Sequence, residues 1–152
     1  MFKRWAALAV VLALTTLVPR SAWAQQQGTS RSGGLGQNYP NPFNPETVIP
    51  FSIGDGTCTD DGRQYEVSIK IYNILSQQVA TPKLQAPRSG SLSSGAVGQL
   101  LDKLKLPCGG PYDAYWNGKY QGTDREVASG VYTVVLTVDR KVTATMRVTV
   151  TK

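Results

Sequence analysis

Apolar and polar residues alternate along much of the chain after residue 46. From Thr47 onward, Ile49, Phe51 and Ile53 share one face of an extended segment, which predicts a strand with one buried face. Pro50 lies in the middle of this segment. Because proline has no backbone N–H to donate, Pro50 predicts that the strand lies at the edge of its sheet.

The same alternation recurs further along the chain. Residues 65, 67, 69 and 71 are apolar and alternate with polar residues, which predicts a strand with one face in the core and one in solvent. Further strands are predicted at residues 78–80, 112–116, 131–138 and 142–150, and a brief helix at residues 99–106. In the last strand Val142, Ala144, Met146, Val148 and Val150 are predicted to face one way. The pattern predicts an all-β antiparallel β-sandwich of about seven strands.

The N-terminus has the features of a secretory signal. Lys3 and Arg4 precede an apolar run over residues 5–18, and Ala22-Trp23-Ala24 follows as a small-x-small cleavage site. The run is shorter than the roughly 20 residues that span a bilayer. Residues 1–24 are therefore predicted to be a cleaved signal peptide, with no membrane span after cleavage.

The segment after the signal divides into two parts. Residues 25–37 are rich in Gln, Gly and Ser, which predicts a flexible leader, and residues 38–152 are long enough for one domain. The formal net charge is +6, and three of the basic residues, Lys3, Arg4 and Arg20, lie in the predicted signal. Because the other basic residues are scattered among acidic ones, nucleic-acid binding is not expected.

The titratable and thiol groups argue against catalysis. The chain has no histidine and two cysteines, and in an exported protein Cys58 and Cys108 are predicted to form a disulfide. Two thiolates without histidine do not readily complete a zinc site, so no cofactor is expected. Because histidine is absent and the cysteines are predicted to be paired, the protein is predicted not to be an enzyme. Asp55, Asp60 and Asp61 could bind calcium, although a solvated loop is the preferred interpretation because their spacing is not that of an EF-hand.

A proline-rich segment precedes the first predicted strand. It comprises Asn38, Tyr39, Pro40, Asn41, Pro42, Phe43, Asn44 and Pro45. We call residues 38–45 the octet. Its prolines remove backbone donors and its two aromatic rings, Tyr39 and Phe43, are predicted to be buried. Further along, Trp116, Asn117 and Gly118 combine a core aromatic residue with a tight turn, and Gly130, Val131 and Tyr132 open the penultimate predicted strand.

These motifs, in this order, closely resemble the type IX (Por) secretion C-terminal sorting domain and the related Ig-like domain of the flagellar hook-capping protein. The resemblance covers about residues 37–152 and also includes residues 47–53, 67–73 and 125–132. It implies an Ig-like sandwich. Ser76 and Arg140 stand where this family usually carries turn glycines. Residues 82–111 resemble an insertion relative to shorter members of the family.

The resemblance also implies a function. After Sec-dependent export to the periplasm, outer-membrane type IX components would recognise the folded domain and pass it to the cell surface or the medium. The surface expected to be recognised comprises Gly130, Val131, Tyr132, Arg147 and Lys152, whereas Tyr39, Phe43 and Trp116 are expected in the core. Only the signal and leader precede residue 38. We therefore expect either that the domain is itself the exported product or that the chain is a fragment of a gene whose cargo was lost or mispredicted. The alternative is a secreted Ig-like structural or adhesive module that contacts other surface proteins.

Overall fold

The computed structural model describes residues 33–54, 62–86 and 95–152, and in these ranges the chain contains strands and no helix. The predicted all-β class is confirmed, with nine strands rather than about seven. The strands are β1 (Gly33–Leu35), β2 (Thr47–Ile53), β3 (Gln64–Tyr72), β4 (Gln78–Ala80), β5 (Lys83–Leu84), β6 (Leu104–Pro107), β7 (Gly109–Trp116), β8 (Gly130–Val138) and β9 (Lys141–Val150).

The strands form two antiparallel sheets. One has the order β1-β2-β7-β5, and the other has the order β4-β3-β8-β9, with β6 also paired to β3. Their inner faces together form one hydrophobic core. The fully buried large side chains come from both sheets and include Ile49, Phe51, Trp116, Ile69, Ile71 and Leu136. The predicted β-sandwich is therefore present.

The final strand departs in part from its predicted pattern. Val148 and Val150 are buried as predicted, but Val142 is 60% exposed. The register between β8 and β9 shifts between Leu136 and Thr137, so that Ala144 pairs with the inward-facing Leu136 while Val142 pairs with Thr137. The irregularity turns Val142 to the outer face, because one extra residue reverses the side-chain alternation.

The helix predicted over residues 99–106 is wrong. This segment includes the start of β6, which pairs with the first half of β3. Leu101 and Leu106 are fully buried, and the carbonyl oxygen of Leu101 accepts a hydrogen bond from the N–H of Ile69 at 2.8 Å. The apolar spacing reflected burial against β3, and a short apolar run does not distinguish a strand from a buried helix.

Pro50 does not mark an edge strand, because β2 lies between β1 and β7. The Pro50 carbonyl oxygen accepts a hydrogen bond from the Gly36 N–H at 2.7 Å. In an antiparallel ladder the N and C=O of one residue point to the same side, so the missing donor of Pro50 faces Gly36 and away from β7. The ladder between β2 and β7 therefore loses no hydrogen bond at Pro50.

The first strand lies within the segment predicted as a flexible leader. Gly33, Gly34 and Leu35 pair with Ile53, Ser52 and Phe51. The boundary predicted at Asn38 therefore falls after the first strand. The remainder of the predicted leader and the predicted signal peptide, residues 1–32, lie outside the described residues.

Candidate functional site

Three of the motifs that carry the family resemblance meet in the core. The ring of Phe43 lies edge-on to that of Trp116, with 5.3 Å between centroids and 62° between planes, and Trp116 lies edge-on to Tyr132 at 5.6 Å and 70°. We call Phe43, Trp116 and Tyr132 the aromatic stack. All three are at most 6% exposed. Edge-to-face pairs at these distances stabilise a core beyond the burial of their area.

The octet is held to β2 by buried polar side chains. Asn38 and Thr47 are 2% and 1% exposed. The Asn38 Nδ2 donates to Thr47 Oγ1 at 2.9 Å and to the Pro40 carbonyl oxygen at 3.0 Å, and Thr47 Oγ1 donates to the same carbonyl at 3.0 Å. Sequence analysis did not single out Thr47 for this role, since a polar residue at a strand end is ordinarily exposed.

The octet also pairs with the end of the final strand. The Phe43 N–H donates to the Thr149 carbonyl oxygen at 3.0 Å, and the Thr151 N–H donates to the Phe43 carbonyl oxygen at 3.0 Å. Asn41 Oδ1 accepts a further hydrogen bond from the Thr149 N–H at 3.3 Å. The octet therefore covers the outer edge of β9 close to its C-terminal end.

The turn that follows Trp116 closes against the octet. Gly118 is buried with φ of +69°, and the backbone of Pro45 occupies the space that a Cβ atom at position 118 would need. The indole N–H of Trp116 donates to the Lys119 carbonyl oxygen at 3.1 Å, and Asn117 Oδ1 accepts from the Lys119 N–H at 3.2 Å. The predicted tight turn at Asn117 and Gly118 thus also fixes the position of the octet.

Two of the three predicted core aromatics are buried and one is not. Phe43 and Trp116 are 1% and 2% exposed, as expected. Tyr39 is 37% exposed, so its predicted burial is wrong. Its backbone pairs with Val48, which leaves the ring at the margin of the sheet, and its hydroxyl donates to the Asp113 carboxylate at 3.4 Å.

The residues expected to be recognised do not all lie on the surface. Gly130, Val131, Arg147 and Lys152 are exposed. Tyr132 is 6% exposed and belongs to the aromatic stack, and its hydroxyl donates to the Ala128 carbonyl oxygen at 2.8 Å. Burial raises the pKa of the Tyr132 hydroxyl above its ordinary value. The Tyr132 side chain therefore supports the surface from beneath and cannot itself be the contact.

The exposed members lie on the outer face of β8 and β9. Val131 pairs with Thr149, and Thr133 pairs with Arg147. Lys152 follows the end of β9 and forms an ion pair with Glu126. The hydrogen bond and charge of Lys152 lower the pKa of the Glu126 carboxyl. We call Val131, Thr149, Arg147 and Lys152 the C-terminal face.

A feature that sequence analysis missed is the turn between β3 and β4. Ile74 and Leu75 are 84% and 72% exposed there, the highest exposures among the large apolar residues described. The sequence does contain a sign of this exposed pair, because two consecutive aliphatic residues stand between predicted strands, where the alternation of apolar and polar residues stops. We call residues 73–77, which carry this exposed apolar pair, the β3–β4 turn.

Four described residues other than glycine have φ in the left-handed region, namely Ser76, Lys103, Asp139 and Arg140. Ser76 in the β3–β4 turn has φ of +59°, and Arg140 between β8 and β9 has φ of +65°. The left-handed region costs most residues about 1–2 kcal/mol, a penalty that glycine avoids. Ser76 and Arg140 are the two positions at which the resemblance to the sorting domain led us to expect glycine.

The predicted disulfide and the acidic cluster fall partly or wholly outside the described residues. Asp55, Asp60, Asp61 and Cys58 all lie in residues 55–61, which the structure does not describe. Cys108 is not a free cysteine, and its Sγ lies 3.3 Å from the Ile53 carbonyl oxygen at the end of β2. In the described ranges, the acidic, cysteine and histidine side chains form no group of three or more that could hold a metal ion.

Comparison of the chain with family models, curated proteins and solved structures found no match. Across residues 33–54, 62–86 and 95–152, no helix is long and apolar enough to cross a membrane. The functional interpretation therefore depends on the motifs and on the geometry in which they meet.

Proposed function

We propose that this chain is a non-catalytic exported domain that outer-membrane type IX secretion components recognise for translocation or surface attachment. The observation that carries the proposal is the aromatic stack. Phe43, Trp116 and Tyr132 are far apart in the sequence, and each belongs to a different motif of the resemblance to the sorting domain. The meeting of these motifs in one core unit supports the resemblance.

Backbone geometry supports the same proposal. Ser76 and Arg140 were singled out only because the family usually carries glycine there, and both have φ in the left-handed region. A glycine at these positions in related chains has a direct physical reason. The left-handed φ at both positions is consistent with the proposed resemblance.

The arrangement of the C-terminal end determines what a partner can contact. Because Phe43 and Asn41 already bond to Thr149 and Thr151, backbone pairing with the last residues of β9 is occupied by the octet. Recognition is then through exposed side chains of the C-terminal face. In this proposal the octet presents the end of β9 as a fixed surface.

Export and the disulfide are parts of the proposal. The segment of residues 1–24 supplies the signal, and an oxidising compartment allows Cys58 and Cys108 to pair. Cys108 lies beside Ile53, and Cys58 follows Ile53 by five residues along the chain. A five-residue segment can span more than 15 Å, so the pairing requires no rearrangement of β2 or β7.

A second candidate is a structural or adhesive module at the cell surface. The observation in its favour is that β9 is the last strand in the order of its sheet. An edge strand can pair with a strand of another chain. Sedimentation equilibrium distinguishes this candidate, because assembly predicts a mass that rises with protein concentration and the sorting function predicts a constant monomer mass.

A reporter fusion tests the sorting function. Residues 25–152 are placed behind a Sec-exported monomeric reporter in a bacterium with type IX secretion, and the reporter on the surface and in the medium is quantified. The proposal predicts export that depends on the type IX system. Arg147→Glu on the C-terminal face reduces this export, while Lys141→Glu, an equal charge change at the other end of β9, does not. Export that is unaffected by loss of the system contradicts the proposal.

A further inference from the structure

The β3–β4 turn presents two aliphatic side chains to solvent at its tip. Ile74 is 84% exposed and Leu75 is 72% exposed, whereas the apolar residues of the flanking strands, Ile71 and Val79, are at most 5% exposed. Single exposed apolar residues are ordinary on protein surfaces. Two adjacent ones at the tip of a turn form a small apolar protrusion, and exposed apolar patches can mark sites of protein interaction.

The turn that carries these side chains is held by a network centred on Asn73. Asn73 Oδ1 accepts from the N–H groups of Leu75 and Gln77 at 3.0 and 2.9 Å. Its Nδ2 donates to Gln77 Oε1 at 2.9 Å, and its backbone N–H and C=O bond to Gln77 and Ser76 at 3.0 Å each. Ile74 and Leu75 are therefore held on an ordered backbone. A partner that binds them has little backbone entropy to remove.

The protrusion lies at the same end of its sheet as the C-terminal face. Strand β3 is antiparallel to β8, and Tyr72, the last residue of β3, pairs with Thr133. The turn after Tyr72 therefore lies where β8 begins, beside Gly130 and Val131. Thr133 pairs in turn with Arg147 on β9, so that Tyr72, Thr133 and Arg147 form one cross-strand row on the outer face.

We propose that Ile74 and Leu75 are the apolar anchor by which the domain docks into a hydrophobic pocket with an acidic rim on an outer-membrane protein of the export machinery. This inference rests on the proposed function for the identity of the partner. Ile74 and Leu75 enter the pocket, and Val131, 43% exposed, extends the apolar contact. Arg147 meets the acidic rim, since none of the described carboxylates forms an ion pair with it.

The immediate surroundings of the protrusion favour a protein pocket over a lipid surface. Its neighbours Asn73, Ser76, Gln77 and Gln78 are uncharged. Attachment to an anionic lipid surface typically uses a cluster of four to eight basic residues next to the apolar group, often with aromatic side chains at the interface. The cations described at this end of the sheet include Lys70 and Lys152, which form ion pairs with Asp102 and Glu126, and Arg147, which lies two strands away. A compact apolar anchor with uncharged immediate neighbours suits a pocket of defined shape.

Binding of the purified mature domain to isolated outer membranes tests the inference. The membranes come from a bacterium with type IX secretion, and the probe is the domain labelled with a fluorophore at its N-terminus. The test variant is Ile74→Ser with Leu75→Ser, and the matched control is Val142→Ser. Val142 is 60% exposed and lies at the opposite end of the same sheet, near the β8–β9 turn. Circular dichroism establishes that all three proteins are folded, as expected for changes at exposed positions.

The docking inference predicts saturable binding of the wild type and the control, and an affinity at least about tenfold lower for the double variant. Raised salt weakens binding of the wild-type domain, because salt screens the attraction between Arg147 and the acidic rim. Protease treatment of the membranes abolishes binding. Equal affinity of the double variant and the wild type overturns the inference. Equal binding to protein-free vesicles of the same lipids also overturns it, since the occupant would then be lipid.

Membranes from a strain that lacks the type IX components separate the inference from the proposed function. If binding through Ile74 and Leu75 persists in full on these membranes, the proposed function fails and the docking surface stands with another protein as its partner. If binding disappears with the type IX components, both are supported. If wild-type binding depends on these components but the double variant binds equally well, the proposed function stands and the anchor is wrong.

Discussion

Gly118 packs directly against the carbonyl group of Pro45, so that the turn after Trp116 and the octet share one closely fitted contact. The contact leaves no room for a side chain at position 118. It also places Phe43, two residues before Pro45, where its ring meets that of Trp116. The two motifs are therefore coupled through backbone packing as well as through the aromatic stack.

Replacement of Gly118 by alanine tests this coupling. A Cβ at position 118 would overlap the Pro45 carbonyl, and φ of +69° strains any L-residue. We expect Gly118→Ala to lower the free energy of unfolding by about 3 kcal/mol, from strain and overpacking together. Gly122 is the matched control, because its φ is +71° and its Cβ would meet open space. Gly122→Ala should lower the free energy of unfolding by about 1 kcal/mol. If chemical denaturation gave equal losses for Gly118→Ala and Gly122→Ala, the close packing of Gly118 against Pro45 would be contradicted.

Glycine in place of Ser76 or Arg140, two of the residues with left-handed φ, should stabilise the domain. Ser76→Gly and Arg140→Gly each relieve a strained φ but increase the entropy of the unfolded chain. We expect the free energy of unfolding to rise by about 0.5–1 kcal/mol in each variant. Arg140 also loses an ion pair with Glu66 at 3.8 Å, which contributes little because the Arg140 side chain is 88% exposed. Ser129 is exposed and is not among the positive-φ residues, so Ser129→Gly should destabilise. Thermal unfolding that shows the same sign for all three variants would count against this explanation.

The buried Asn38 and Thr47 side chains should contribute strongly to stability. Thr47→Val removes an acceptor from Asn38 and a donor from the Pro40 carbonyl, which leaves buried polar groups without those partners. We expect a loss of about 1–3 kcal/mol in urea unfolding. Thr145→Val, at an exposed position of β9, should change stability by less than about 0.5 kcal/mol. A double-mutant cycle with Asn38→Ala should show coupling, and strict additivity would argue that the two side chains act separately.

The ion pair between Glu126 and Lys152 gives a prediction for pH dependence. Lys152 lowers the pKa of Glu126 from its ordinary value of 4.5. A carboxyl whose folded pKa is lowered stabilises the fold above its unfolded pKa, and this contribution is lost as the pH falls through the folded pKa. Carbon-13 NMR titration should therefore give Glu126 a pKa below 4.5, and Lys152→Ala should return it towards that value. An unchanged titration in Lys152→Ala would show that the C-terminus is not held at Glu126.

Alternation of apolar residues was sufficient to predict the main strands. Ile49, Phe51 and Ile53 in β2 and Val67, Ile69 and Ile71 in β3 are buried as the period of two requires. The predictions failed where long-range pairing decided the structure. Residues 99–106 have helical spacing, but residues 104–106 pair with β3. Val142 is turned outward by an extra residue in β9, at the register shift against β8. Local periodicity identifies neither the strand with which a segment pairs nor the point at which the register shifts.

The candidate site was predictable only in part. The family motifs indicated Phe43, Trp116 and Tyr132, but not that all three belong to one stack, so Tyr132 was assigned to the surface. Tyr39 was expected inside because aromatic rings are usually buried, yet its place beside Val48 leaves it at the sheet margin. The exposure of Ile74 and Leu75 depends on the path of the turn, which the residue types alone do not determine.

The most direct test of the central claim is the location of the chain itself in a bacterium with type IX secretion. An epitope tag is inserted in the exposed turn at Gly122, and the tagged chain is quantified in periplasm, outer membrane, cell surface and medium, with and without a functional type IX system. Our account predicts that the chain reaches the surface or the medium in the intact strain and accumulates folded in the periplasm of the strain without the system. The same distribution in both strains would contradict recognition by type IX secretion.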